Sequence, residues 1–165
     1  MPRCWVSIGS NQERELSIRG AVRALFEHFG ELTLSSVYES EAVGFEGRPV
    51  YNLVVGLDAD ETVAALKDVF REIENAFGRV RGPEKFSPRT LDIDLLTYGD
   101  FAGTVDGCEL PRDEILHYAF VLRPLAEVAG DEIHPVVGRS YRGLWENFDR
   151  AAQPLVPVDI DLGEN

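Results

Sequence analysis

The clearest structural signal in the chain comes from residues 90–98, which read Thr90-Leu91-Asp92-Ile93-Asp94-Leu95-Leu96-Thr97-Tyr98. Successive side chains of a β-strand point to opposite faces of a sheet, so Asp92 and Asp94 share one face while Leu91 and Ile93 share the other. The apolar side must meet the helices of the core. The two carboxylates must then lie on the other face, with their Cα atoms about 6.5–7 Å apart.

The sequence before this strand predicts five further elements. Strands are expected at 4–8, 32–40 and 51–57, and helices at 13–29 and 63–77, the second of them capped by Asp58 or Asp60. The order strand, helix, strand, strand, helix, strand is typical of the ferredoxin-like βαββαβ fold of the α+β class. It predicts an antiparallel sheet with helices on one face and an open face for ligands. After it, a helix is expected at 118–129 and a short turn at 143–148.

Length, charge and cysteine content limit the class of protein. The 165 residues predict one domain, 1–150, followed by an acidic, flexible tail at 151–165. The net charge of −13 argues against nucleic-acid binding, which needs a basic face. No run approaches the roughly 20 apolar residues of a membrane span, and the N-terminus does not resemble a signal peptide. Two cysteines, Cys4 and Cys108, exclude a disulfide scaffold, so a cytoplasmic protein is expected.

The pair Asp92 and Asp94 has two interpretations. Two carboxylates on one face repel each other unless a cation lies between them, and carboxylate oxygens are ligands that Mg²⁺ prefers. The pair therefore suits one or two Mg²⁺ ions. The alternative is a strand whose polar face is simply solvated.

The loop at 79–89 favours the first interpretation. It contains four cations, Arg79, Arg81, Lys85 and Arg89, in a strongly acidic chain. Arg79 and Arg81 alone could serve the negative end of a helix dipole, but Lys85 and Arg89 lie well beyond the helix. Cations beside metal-binding carboxylates suit phosphoryl transfer. The chain has neither of the common glycine-rich nucleotide motifs.

Aromatic side chains near the expected open face suggest a flat substrate. Phe45, Tyr51, Phe86 and Phe120 lie in or beside the flanking loops, and such rings stack on heterocycles. Asn52 begins a strand, where its amide could read the donors and acceptors of a ring. The alternative for each aromatic is core packing, and it fits Phe86, in a charged loop, least well.

The residues around the aspartates resemble the signature of a known family. Arg79-Val80-Arg81, followed by Ser87-Pro88-Arg89-Thr90-Leu91-Asp92-Ile93-Asp94, is similar to that of the 6-hydroxymethyl-7,8-dihydropterin pyrophosphokinases of folate biosynthesis. The resemblance covers about residues 4–135. Four other segments match in order and spacing: Ile8-Gly9-Ser10-Asn11, Val37-Tyr38-Glu39-Ser40, Tyr51-Asn52 and Phe120-Val121-Leu122-Arg123-Pro124-Leu125.

The resemblance implies a reaction in which pyrophosphate passes from ATP to the hydroxymethyl group of the pterin, releasing AMP. It implies that Asp92 and Asp94 bind two Mg²⁺ ions and that Arg79 and Arg89 stabilise the transferring group. Asp94 is also a candidate catalytic residue, and whether it acts as general base is left open.

The resemblance also assigns the two substrates. ATP-binding residues would be Arg71, Glu74, Arg81, Arg89 and Arg112, and pterin-binding residues would be Ser40, Val43, Asn52, Phe86 and Phe120.

Some positions depart from the family pattern. Arg112 stands where many members have His, Tyr118 where Arg is frequent, and Glu41 where Pro is common. The last departure leaves the role of Tyr51 open. His117 and His134 are expected to be structural or surface groups.

Two other functions remain possible from the sequence. One is a two-metal phosphoryl or nucleotidyl enzyme with another acceptor. The other is a noncatalytic ligand-binding module, because fold alone does not decide function. Nothing in the sequence requires more than a monomer.

Overall fold

Secondary structure is described by the computed structural model for residues 2–11, 13–40, 49–77 and 91–162. The helices of these ranges are α1 to α5, at Arg14–Phe29, Val63–Phe77, Glu114–His117, Ala119–Ala129 and Tyr141–Glu146, with a 3₁₀ helix at Arg150–Ala152. The strands are β1 to β8, at Arg3–Ser10, Thr33–Leu34, Val37–Ser40, Val50–Asp58, Leu91–Tyr98, Gly103–Val105, Cys108–Leu110 and Val156–Val158.

The main sheet has the strand order β5-β1-β4-β3-β8, and β2 also pairs with β4. Every described strand pair is antiparallel. The predicted α+β class with an antiparallel sheet is therefore confirmed. The strand expected at 32–40 is divided into β2 and β3, because the Ser35 hydroxyl accepts the Val54 N–H at 2.8 Å in place of a strand carbonyl.

The first face of the sheet packs against α1 and α2. Its buried side chains come from alternate positions of β1, β4 and β5: Cys4, Val6, Ile8, Leu53, Val55, Leu57, Leu91, Ile93 and Leu95. Burying each large aliphatic side chain contributes about 1.5–3 kcal/mol. This core keeps the apolar side of β5 inward, as the alternation of residues 91–95 predicts.

The second face, opposite α1 and α2, is not open along its whole length. Trp5, Val54 and Leu96 project from it and pack with Leu122 and Leu125 of α4. The expectation of an open face is therefore wrong for this part, which we call the covered half. The physical reason is that three large apolar side chains would otherwise face water.

The C-terminal segment also differs from the prediction. Val156–Val158 forms β8 and pairs with β3, while Ile160 and Leu162 pack against the core under the first face. Residues 156–162 are therefore built into the fold, because β3 offers an unpaired edge and the two side chains find apolar contacts. The expectation of a flexible tail at 151–165 is wrong for this part of it.

The second helix is capped by a residue that the sequence reading did not select. Thr62 Oγ1 accepts the Ala65 N–H at 3.2 Å, whereas Asp58 forms an ion pair with Arg3.

Along the described ranges, none of the helices combines the length and apolar composition needed to cross a membrane.

Candidate functional site

A row of side chains crosses the second face beyond the covered half. Asp92 lies opposite Gly9, Gly9 opposite Asn52, and Asn52 opposite Tyr38, so four strands contribute one residue each. Asp94 lies one step along, opposite Ser7. We call the part of the second face formed by Gly9, Asn52, Asp92 and Asp94 the polar half.

The two aspartates have the orientation that alternation predicts. Asp92 and Asp94 are exposed, whereas Leu91 and Ile93 are buried. Both residues also take part in interactions within the chain. They therefore project from the same side of β5, away from the helices of the first face.

This pair fits Mg²⁺. The described residues contain no group of three or more carboxylate, imidazole or thiol side chains able to hold a metal. Mg²⁺ keeps several waters and binds through one or two protein carboxylates plus substrate phosphates. Two exposed aspartates at i and i+2 match that ligand set, which a phosphate-bearing substrate would complete.

The side chain of Asn52, at the centre of the row, occupies space that is free because Gly9 has no side chain. A Cβ at Gly9 would lie 2.7 Å from Asn52 Nδ2, closer than such contacts allow. Asn52 is buried, and its Oδ1 has no hydrogen-bond partner among the residues described. A buried acceptor without a partner costs free energy, so this amide suits a ligand that donates a hydrogen bond.

A cavity of about 190 Å³ adjoins Asp94 at the outer edge of β5. Its polar lining contains three of the residues expected to contact the nucleotide, Arg71, Glu74 and Arg112, together with Asp94. Of the titratable residues in the lining, the sequence analysis did not select Lys67 and Cys108. The i, i+4 spacing of Lys67 and Arg71 on α2 was the available signal for the first.

Arg112 is held by a two-point contact with Glu114. Its Nε donates to Glu114 Oε1 at 3.2 Å and its Nη2 donates to Oε2 at 2.6 Å. These hydrogen bonds raise the pKa of Arg112 above its usual value and lower the pKa of Glu114. Arg112 also interacts electrostatically with Asp94. The guanidinium therefore stays charged and oriented beside the cavity.

Glu74 is buried although it carries a carboxylate. It is 7% exposed, and its Oε2 accepts the Ile93 N–H at 2.7 Å. This contact joins α2 to the strand that carries both aspartates.

Two further residues expected to contact the pterin, Ser40 and Phe120, lie within described elements. Ser40 ends β3 and, by strand alternation, shares the face of Tyr38. Phe120 lies in the first turn of α4 and stacks on Tyr118 with a ring-centroid distance of 5.1 Å.

Tyr51 lies on the other side of the sheet. Its ring packs against the core of the first face, under the Arg14 guanidinium at 4.0 Å. The expectation that Tyr51 flanks the ligand face is therefore wrong, because neighbouring residues of a strand point in opposite directions.

Five residues that the sequence analysis assigned to the site lie outside the described residues: Val43, Arg79, Arg81, Phe86 and Arg89. The same holds for Glu41, Phe45 and Lys85.

Comparison with known proteins gives the family. The sequence profile of the 7,8-dihydro-6-hydroxymethylpterin-pyrophosphokinase (HPPK) family matches residues 5–130. The chain is 37% identical over 139 residues to the 2-amino-4-hydroxy-6-hydroxymethyldihydropteridine pyrophosphokinase of Pseudomonas aeruginosa, covering 78% of this chain and 82% of that protein. It is 30% identical to the enzyme of the same name from Haemophilus influenzae, covering 82% and 86%.

Longer relatives contain a similar region as one part. The folic acid synthesis protein fol1 of Pneumocystis carinii is 30% identical over 157 residues, which are 93% of this chain and 21% of fol1. The solved structure of Plasmodium falciparum HPPK-DHPS wild type with SDX-DHP matches with a TM-score of 0.69 at 13% identity, over 88% of this chain and 43% of that one. The chain thus spans about a fifth and less than half of these two proteins. At this identity the structural match shows the fold alone.

Proposed function

Because the chain belongs to the 7,8-dihydro-6-hydroxymethylpterin-pyrophosphokinase family, we propose that it is an ATP-dependent diphosphotransferase. It transfers pyrophosphate from ATP to the hydroxymethyl group of 6-hydroxymethyl-7,8-dihydropterin and releases AMP, in folate biosynthesis. The observation that carries this proposal is the register of the sheet. It sets Asp92 in one row with Asn52, whose amide oxygen has no partner among the described residues, and Asp94 beside a cavity lined by cations.

The aspartates hold the metal in this proposal. Asp92 and Asp94 would hold two Mg²⁺ ions together with the ATP phosphates. The metal would supply positive charge that offsets the negative charge of the triphosphate.

The cations orient the nucleotide. Arg71 and Arg112 border the cavity beside Asp94, and their fixed charges offset the long-range repulsion between ATP and a chain of net charge −13. Arg79, Arg81 and Arg89 complete the phosphate contacts, with Arg79 and Arg89 on the transferring group. The mechanism therefore rests on positioning and charge stabilisation.

The pterin lies against the row of side chains. Asn52 Oδ1 accepts a hydrogen bond from the ring, Phe120 stacks on its face, and Ser40 contacts its edge. Val43 and Phe86 contribute the remaining contacts.

The proposal includes the finer architecture. The strand order β5-β1-β4-β3 with α1 and α2 on one face supports a ferredoxin-like βαββαβ core. Residues 1–150 act as one pyrophosphokinase domain, to whose sheet the following segment adds β8, and the protein works as a cytoplasmic monomer without nucleic acid or membrane.

The nucleotide product tests the function. Incubation with ATP, Mg²⁺ and 6-hydroxymethyl-7,8-dihydropterin should yield AMP in equal amount to the pyrophosphorylated pterin, and no AMP without the pterin. ADP as the product would indicate an ordinary kinase. Absence of Mg²⁺-dependent nucleotide binding, measured by calorimetry, would favour a noncatalytic module.

A further inference from the structure

The backbone between the two aspartates is held by a side chain from a different element. The Ile93 N–H belongs to the peptide that links Asp92 to Ile93, and it donates to Glu74 Oε2 at 2.7 Å. β5 is the outermost strand on its side of the described sheet. At this position the Glu74 carboxylate takes the place that a neighbouring strand would have.

The burial of Glu74 indicates how strongly this contact is built. A carboxylate that is 7% exposed is costly unless it accepts hydrogen bonds. A bond from a backbone amide to a carboxylate is charge-assisted and stronger than one between neutral groups. Phe70 and Ile73, buried on the same face of α2, fix the helix against the core, so the position of Glu74 is set by packing.

We propose that Glu74 is a positioning residue for the metal-binding aspartates, acting through the Ile93 amide. Rotation of the Asp92–Ile93 peptide changes the relative direction of the Asp92 and Asp94 side chains, and Glu74 prevents that rotation. This inference rests on the proposed function only in taking the two aspartates as metal ligands. It differs from the assignment of Glu74 as a nucleotide contact.

Two substitutions of Glu74 distinguish the length of its side chain from its charge. Glu74→Asp keeps the charge but withdraws the carboxylate by about one carbon–carbon bond, ~1.5 Å, which breaks a 2.7 Å hydrogen bond. Glu74→Gln keeps an oxygen acceptor at the same reach and removes the charge. Glu72→Asp, at an exposed position of α2, controls for the lower helix propensity of Asp.

Two measurements test the proposal without measuring enzymatic activity. Exchange of the Ile93 amide with solvent, followed by ¹⁵N NMR, should be about tenfold faster in Glu74→Asp, and faster by a clearly smaller factor in Glu74→Gln, which keeps the acceptor but loses the charge assistance. Mn²⁺ binding in the presence of a non-hydrolysable ATP analogue, measured by electron paramagnetic resonance, should weaken about 10-fold or more in Glu74→Asp, as for other groups that orient metal ligands. Glu74→Gln should retain the Mn²⁺ affinity, and Glu72→Asp should match the parent protein in both measurements.

The opposite ranking overturns the inference. If Glu74→Gln weakens Mn²⁺ binding as much as Glu74→Asp does, or if Ile93 exchange is unchanged in Glu74→Asp, the carboxylate does not act through the amide. Weaker binding of the analogue to Glu74→Gln in EDTA would instead identify a nucleotide contact. Failure of the proposed function is distinct, because it appears as absent AMP release in the parent protein while the exchange and Mn²⁺ measurements remain readable.

Discussion

The covered half and the polar half of the second face are built from the same strands but differ in what completes them. In the covered half, Trp5, Val54 and Leu96 are buried under α4 by the chain itself. In the polar half, Gly9, Asn52, Asp92 and Asp94 present two exposed carboxylates and a buried amide oxygen that has no partner among the described residues. One half is completed by folding, and the other has the groups that a ligand would complete.

This difference separates stability from function along individual strands. On β5, Asp94 and Leu96 are two residues apart and share a face, yet one borders a cation-lined cavity and the other an apolar core. We therefore expect substitutions at the two positions to have separable effects.

The largest effect is expected from the polar half. Asp94→Ala removes one of the two carboxylates proposed to hold Mg²⁺, and AMP release should fall by about 1000-fold or more, corresponding to several kcal/mol of charge stabilisation. Because Asp94 is exposed, the free energy of unfolding should change by only about 0.5 kcal/mol. Asp100→Ala, an exposed aspartate beyond the end of β5, is the matched control. Activity retained in Asp94→Ala would contradict the proposal that Mg²⁺ binds in the polar half.

The next effect is expected from the covered half. Leu96 is 2% exposed, so Leu96→Ala should lower the free energy of unfolding by about 2–5 kcal/mol in urea titrations. Under conditions where the variant is folded, it should still bind Mg²⁺ and the ATP analogue. Val136→Ala, at a side chain that is 66% exposed, should change stability by less than about 0.5 kcal/mol. Loss of ligand binding without loss of stability in Leu96→Ala would contradict the separation of the two halves.

A smaller effect is expected where Gly9 meets Asn52. Gly9→Ala places a Cβ 2.7 Å from Asn52 Nδ2, so the amide must shift. Affinity for the pterin should fall about tenfold by calorimetry, and nucleotide affinity should not change. In an Asn52→Ala background the same substitution should have less than about a twofold effect, because the clashing atom is gone. Equal effects in the two backgrounds would show that Gly9 acts through another contact.

The elements of the first face could be predicted because their periodicity is strong. The apolar positions of α2 and the Leu-Asp-Ile-Asp alternation of β5 gave the right faces. The hairpin of β6 and β7 was missed although Asp106-Gly107 is a hairpin dipeptide, with both residues at positive φ, 52° and 75°.

The covered half was harder to predict. Residues on both sides of β1 are apolar, since Trp5 lies between Cys4 and Val6, and that pattern indicates burial on both faces. An element packed on the second face could therefore have been predicted from the sequence of β1. The position of β8 was not, because a three-residue strand containing Pro157 depends on finding the edge of β3.

The site could be predicted in its residue types but not in its internal contacts. The positions of Asp92 and Asp94 follow from alternation within one strand. The Glu74 contact with Ile93 depends on how α2 packs on β5, and the Arg112 contact with Glu114 depends on the turn after β7. Neither contact carries a periodic signal in the sequence, so both required the structure.

The smallest effect is expected from the Arg112–Glu114 pair, which stabilises the polar half through charge and so depends on pH, unlike the apolar contacts of the covered half. The hydrogen bonds from Arg112 lower the pKa of Glu114 from its ordinary value of 4.5. The pair therefore stabilises the folded state fully above pH 4.5, and this stabilisation is lost as the pH falls through the lowered pKa. The side chains are 32% and 38% exposed, so Glu114→Gln should cost only about 0.5 kcal/mol near pH 7, as exposed pairs do. Urea titrations should show this difference vanish well below pH 4.5, whereas Glu109→Gln, at an exposed position of β7, should show no such change. A difference that is the same at both pH values would mean that Glu114 contributes through packing, and the polar half would then resemble the covered half in this respect.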